Sequence, residues 1–166
     1  MSVELTIGEV LRIAENIERE AAAFFRRAAG AAFSAPARKL LTELAEMEDE
    51  HVQVFEGLRI QMSAQDEPSG FFLPDSSERK ALPVLAHGII ENIKADLAAS
   101  FQDQAAREVI LKRALDFEKD TVVFYTGVKE MLSSPSDKQR VDKLILEELR
   151  HVLTLTAGPL TSREWH

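Results

Sequence analysis

The sequence predicts an all-α fold: a four-helix bundle made of two repeated helical hairpins, joined by a long crossover that carries an extra short helix. Three observations predict it. Four long stretches place apolar residues at alternating steps of three and four, the signature of an amphipathic helix, and no stretch alternates with the period of two that a half-buried strand requires. Sliding the chain against itself by 100 positions aligns the first two stretches with the last two without a gap. The connection between the two halves is the longest break in the pattern, and it is rich in Pro, Ser and Gly.

The first helix is expected to begin near Thr6, whose hydroxyl can cap while Glu9 reaches back, with Leu5 and Val10 placed as a hydrophobic staple. It runs through "IAENIEREAAAFFRRAA" to a break at "GAAFSAP", where Gly30 and Pro36 interrupt it. A second helix follows from about Pro36 to Met62, closing a hairpin over about residues 5–63. The segment "SAQDEPSGFFLPDSSERKALP" is expected to be irregular, and "VLAHGIIENIKADLAASF" to form the extra helix of the crossover, residues 64–104. The third long helix covers roughly Ala105 to Leu132. Ser134 as cap, Pro135 in the first turn and Asp137 three residues on from the cap then start a fourth, which "GP" stops after Ala157. This second hairpin spans about residues 105–158, and the whole chain, 1–166, reads as one domain. Two hairpins with short turns and one long crossover are the layout of a ferritin-like bundle.

The apolar stripes contain residues of the wrong kind. Along the second helix the stripe reads Leu41, Leu44, Glu48, His51, Phe55, Leu58, Met62. The first helix gives Ile7, Leu11, Ala14, Glu18, Ala21, Phe25, Ala28. The third gives Leu111, Ala114, Glu118, Thr121, Tyr125, Val128, Leu132, and the fourth Val141, Leu144, Glu148, His151, Leu155. Each long helix thus has one glutamate in its core-facing stripe, and two have a histidine three residues later. The 100-residue offset pairs Glu18 with Glu118, Glu48 with Glu148 and His51 with His151, while many intervening positions differ.

A carboxylate in a core is costly unless it is paired or bound to a cation. Four together repel one another, and two divalent cations would supply the +4 that balances them, with neutral imidazoles completing the shell. Residues at i and i+3 share a helical face, so each Glu-x-x-His pair can reach one metal position. One Glu from each of two helices plus Glu-x-x-His from each of the other two is the ligand set of di-iron carboxylate bundles. Glu18, Glu48, His51, Glu118, Glu148 and His151 are therefore the candidate metal ligands.

A single Glu-x-x-His is a weak signal, since such a pair is more often a solvated patch. Two copies in register inside apolar stripes, with a matched glutamate in each partner helix, are not. The same register sets aside the rivals. Glu46 and Glu50 point away from the stripe, Glu147 has Met47 as its repeat partner, and Glu20 falls about 200° around the helix from the stripe's own Glu18. Tyr125 replaces Phe25 at the symmetric position and lies about 10 Å along the axis from Glu118, which suits a supporting or packing role better than ligation. His87, near Glu91, reads as a half-exposed structural histidine, His166 as a solvent-exposed tail residue, and Phe71 and Phe72 as a lid on the bundle.

Composition narrows the function classes. The chain has 28 acidic against 20 basic residues, net charge −8, which disfavours nucleic acid or an anionic membrane as partner. It has no cysteine, so disulfides, thiolate zinc sites, iron–sulfur clusters and cysteine nucleophiles are excluded. There is no apolar run of about 18 residues and no basic-then-apolar leader, so the expected location is cytoplasmic.

At "AENIEREAAAFF" and "ALDFEKDTVVFY" in the odd helices, and "LAEMEDEH" and "LILEELRH" in the even ones, the chain resembles the rubrerythrin family of the ferritin-like superfamily. The resemblance covers most of the chain and loosens across Ser63 to Gln104. It implies a di-iron centre on the six ligands named above, with two iron ions as cofactor and manganese or a mixed centre as the variant. Full rubrerythrins carry a four-cysteine iron domain that feeds electrons to the centre; without cysteine, this chain needs an external electron donor. They also usually carry a further glutamate three residues after the third-helix ligand, where this chain has Thr121, so the site is closer to the six-ligand centres of bacterioferritin-like proteins. The implied activity is an oxidoreductase that reduces O2 or hydrogen peroxide. The alternatives are iron binding with ferroxidation and storage, for which "GPLTSREWH" is short as a fifth helix, and a metal-free helical interaction module. A homo-oligomer is compatible with all three.

Overall fold

The computed structural model describes residues 6–32, 34–63, 76–94 and 104–157. These form five helices, α1 (Ile7–Ala31), α2 (Ala35–Ser63), α3 (Ser76–Lys94), α4 (Gln104–Met131) and α5 (Pro135–Ala157), with no strand among the described residues. The fold is the all-α bundle that the periodicity predicts. Helices α1 and α2 pack along their lengths as one hairpin and α4 and α5 as the other; α1 meets α4, α2 meets α5, and α3 lies against α1 and α4. No helix among the described residues is long and apolar enough to cross a membrane.

Local chemistry sets the helix starts. The Thr6 hydroxyl accepts from Glu9 N at 3.2 Å, and the Glu9 carboxylate accepts from Thr6 N at 2.7 Å, so the capping box forms as the sequence indicates. The staple partner Leu5 lies outside the described residues. Ser34 and Ser134, related by the repeat, cap α2 and α5 in the same way, accepting from Ala37 N at 3.2 Å and Asp137 N at 3.4 Å. Pro36 sits in the first turn of α2, where its missing N–H costs nothing, and α1 continues through Gly30 to Ala31. Neither residue is the interruption expected of it; α1 ends at Ala31 and α2 begins at Ala35.

The crossover departs further from expectation. Helix α3 begins at Ser76, within the segment expected to be irregular, and contains Pro83. A proline inside a helix loses the hydrogen bond to the carbonyl four residues back, and this is why the sequence reads as a break there. Burial outweighs it: Ala86, Ile89 and Ile93 are 2–3% exposed, and Leu82, Leu85 and Ile90 pack on the same core. The approach of α3 to α4 is close, since a β-carbon on Gly127 would come within 2.7 Å of Leu82 Cδ2. Phe71 and Phe72, His166 and the continuation expected beyond Lys94 lie outside the described residues.

The core is continuous from Ile7, Leu11 and Phe24 on α1 through Leu44, Phe55 and Leu58 on α2 to Phe117, Phe124 and Val128 on α4 and Val141 and Leu155 on α5. Phe55 is fully buried, with its ring 4.8 Å from that of Tyr125. Phe55→Ala is expected to destabilise the protein by about 3–5 kcal/mol through lost burial and the cavity left behind, as read from denaturant unfolding. A loss below about 1 kcal/mol would show that the α2–α4 contact collapses to fill the space.

Candidate metal centre

The stripes that break the apolar pattern converge at mid-bundle. Glu18, Glu48, Glu118 and Glu148 are fully buried, and His51 and His151 are 2% and 3% exposed. The helices that carry them are held by ordinary packing, with Leu44 and Phe55 flanking the α2 pair and Leu144 and Leu155 the α5 pair. All six candidate ligands are thereby brought into one cluster.

Within it lie two overlapping groups of four. Glu18, Glu48, His51 and Glu148 place one ligand atom each within 4.8 Å of one another, and so do Glu48, Glu118, Glu148 and His151. Glu48 and Glu148 belong to both groups, so two ions would share them, whereas Glu18 and Glu118 would each serve one. Both imidazoles turn Nδ1 inward. His51 Nδ1 is 2.8 Å from Glu148, 3.1 Å from Glu48 and 3.6 Å from Glu18. His151 Nδ1 is 3.2 Å from Glu148 and 3.4 Å from both Glu48 and Glu118. The rings stack at 5.7 Å with an interplanar angle of 17°.

The cluster is not satisfied by its own contacts. Glu18 Oε2, Glu48 Oε1, both oxygens of Glu118 and of Glu148, and both nitrogens of His151 are buried without an aligned hydrogen bond. Close N–O approaches without alignment are what a set of groups aimed at common points produces. A buried oxygen left unbonded is costly, and a cation on those points would satisfy several at once. The donor set, carboxylate oxygens with one imidazole nitrogen per group, suits iron or manganese better than copper. The residues therefore fit a pair of divalent ions.

Without metal, protons fill part of that role. Burial by itself would lower both imidazole pKa values, but the neighbouring carboxylates prevail: Glu118, Glu148 and Glu48 push His151 up to about 12, and Glu148, Glu18 and Glu48 raise His51 as well. Burial, then the charge of Glu48, holds Glu18 well above the usual carboxylate range, and burial, then Glu148 and Glu48, does the same to Glu118. Burial would also raise Glu148, but its contacts with His151 and His51 bring it down. Imidazoles raised in this way carry protons near neutrality and must lose them to bind metal, so binding is expected to release protons and to tighten as pH rises. Indicator-dye titration in weak buffer checks this; metal uptake without proton release would contradict it.

Three further residues define the surroundings. Tyr125 Oη donates to Glu18 Oε1 across the bundle, so the tyrosine supports a ligand on α1 rather than the glutamate of its own helix. Burial, then the charge of Glu18, raises its phenol pKa well above the usual value, which keeps it a donor. Thr121, at the position of the extra rubrerythrin-type glutamate, turns its hydroxyl to the Glu118 carbonyl at 2.9 Å. Glu147, set aside on register, is the residue sequence reasoning missed. Its Oε2 lies 3.0 Å from His51 Nε2, and its side chain remains 43% exposed. The available signal was its place beside a ligand on a helix that packs against α2.

The other rivals lie away from the centre. Glu20 pairs with Lys94 at 3.1 Å, Glu46 and Glu50 are exposed, and the buried Glu15 is paired with Arg59 at 2.5 Å. His87 is exposed rather than half-exposed, and it takes no part in the cluster. A cavity of about 410 Å³ on the α2–α5 seam is lined by Gln53, Gly57, Arg140, Lys143 and Glu147, the last of which contacts His51.

Known proteins place this architecture. Residues 7–157 match the model of the ferritin-like domain, and the chain belongs to that family. A crystal structure from Thermotoga maritima, described as a candidate ferritin-like diiron-carboxylate protein, superposes with a TM-score of 0.61 at 23% identity, over 94% of this chain and 95% of that one. No curated protein matches in sequence.

Proposed function

We propose that the chain is a di-iron carboxylate oxidoreductase of rubrerythrin-like type that reduces hydrogen peroxide or O2 with electrons from an external donor. The observation that carries this reading is the pair of four-ligand groups sharing Glu48 and Glu148. Sharing two carboxylates would let these residues hold two ions side by side, the arrangement two-metal chemistry uses. When bound there, two ferrous ions would supply the two electrons of H2O2 + 2H+ + 2e− → 2H2O, or of O2 + 2H+ + 2e− → H2O2, which an external donor would then restore.

The protein's own groups fit that chemistry. Glu18 and Glu118 would hold one position each, and Glu48 and Glu148 would balance charge across both. Leu44, Phe55, Tyr125 and Leu155, all at most 3% exposed, wall the centre from bulk water. The α2–α5 cavity is bounded by Glu147, whose carboxylate contacts His51, so this face is the proposed approach for a small oxidant. Thr121 gives no ligand that could exchange with Glu118, so a ligand switch at that position is not part of the proposed cycle.

Membership of the ferritin-like family favours a second reading, ferroxidation coupled to iron storage or detoxification. Two measurements separate them. Stopped-flow oxidation of the ferrous-loaded protein should be faster with one oxidant and consume two iron equivalents per peroxide, with repeated turnover when a donor is present. A large closed oligomer by native mass spectrometry that accumulates ferric mineral would overturn the oxidoreductase reading in favour of storage.

A further inference from the structure

We propose that the two metal positions are unequal, and that Tyr125 and Glu147 are positioning residues that make the His51 position the tighter one. This rests on the dinuclear reading above. Under the 100-residue repeat the group Glu18, Glu48, His51, Glu148 maps onto Glu118, Glu148, His151, Glu48, so the ligands alone would treat two ions alike.

Around the ligands the symmetry fails at two places. Glu18 receives the Tyr125 hydroxyl; the residue related to Tyr125 is Phe25, which has no donor, and neither oxygen of Glu118 has a hydrogen bond among the described residues. His51 Nε2 meets Glu147 at 3.0 Å; the residue related to Glu147 is Met47, and His151 Nε2 has no partner among the described residues. Both polar supports come from the second hairpin, and both serve ligands of the first. The two differences therefore act on one position together instead of dividing between the two.

The chemistry gives the direction. Nδ1 of His51 faces the cluster, so a metal-bound ring carries its proton on Nε2, where it can donate to Glu147. That bond fixes the tautomer and the ring plane and raises the basicity of the ligating nitrogen. Losing such a partner typically costs about 10–100-fold in metal affinity. The Tyr125 hydroxyl satisfies Oε1 of Glu18, the oxygen 3.6 Å from His51 Nδ1, and fixes that side chain, leaving the buried Oε2 without a hydrogen bond. At the other position Glu118 and His151 have no such supports among the described residues, and a metal must order them itself. The His51 position fills first, and the His151 position is the exchangeable one.

Calorimetric titration of the full chain with Co(II) under argon tests this. Two steps separated by about 10–100-fold or more are expected, with Glu18→Ala removing the tighter step and Glu118→Ala the weaker. The double variant Tyr125→Phe/Glu147→Met copies the bare position onto both sides and should bring the constants together by weakening the tight step. The reverse double variant, Phe25→Tyr/Met47→Glu, should bring them together by strengthening the weak one. The ratio of the two constants is the readout, and general destabilisation does not move it. Two equal steps in the unmodified protein, or a double variant that weakens both steps alike, would overturn the inequality while leaving the dinuclear site. No binding in any variant would overturn the dinuclear reading itself.

Discussion

Glu48→Ala is expected to reduce the tight divalent equivalents bound per chain from two to none. Glu48 belongs to both ligand groups, so its loss removes a direct ligand and a compensating charge from both positions at once. Partners that merely support a ligand are worth about 10–100-fold, and loss of a direct, shared ligand should exceed that at each position. Glu18→Ala and Glu118→Ala, by contrast, should each leave one equivalent. Glu48→Gln keeps the volume and removes the charge, so it separates ligand loss from a packing defect. Equilibrium dialysis with Fe(II) under anaerobic conditions gives the counts. If Glu48→Ala lost only one equivalent, Glu48 would be a terminal ligand and not a bridge.

Metal should also be the largest single contribution to stability. Four buried carboxylates with two imidazoles are aimed at common points, with eight of their oxygen and nitrogen atoms lacking aligned hydrogen bonds. An ion that binds only the folded chain, present at about 1,000 times its dissociation constant, adds about 4 kcal/mol. For a chain of this length that is a rise in midpoint temperature of about 8–16 °C. Differential scanning calorimetry with and without Fe(II) or Mn(II) checks it, and the shift should vanish in Glu48→Ala. Equal midpoints with and without metal would mean that the cluster is held by its protons and hydrogen bonds alone.

The bundle was legible because its helices carry a clean three-four stripe, and the cluster because its members violate that stripe at related positions. Glu18 and Glu118 stand out in sequence for the same reason that they are fully buried in the fold. What was not legible depends on which helices are neighbours. The sharing of Glu48 and Glu148 between two groups follows from α2 meeting α5. Glu147 is off its own stripe and gains its role by reaching His51 on another helix. Tyr125 was measured against Glu118 along its own axis, but its hydroxyl finds Glu18 on α1. The start of α3 was hidden by Pro83, whose local penalty is real and whose compensation, burial of Ile89 and Ile93, is a tertiary fact.

The proposed function requires two ions between His51 and His151. Anomalous diffraction at the iron edge, on crystals grown with Fe(II) under argon, tests it most directly. Two peaks about 3.5–4 Å apart, both within bonding distance of Glu48 and Glu148, are the predicted result. A single peak, or iron found only on the exposed acidic surface, would contradict it.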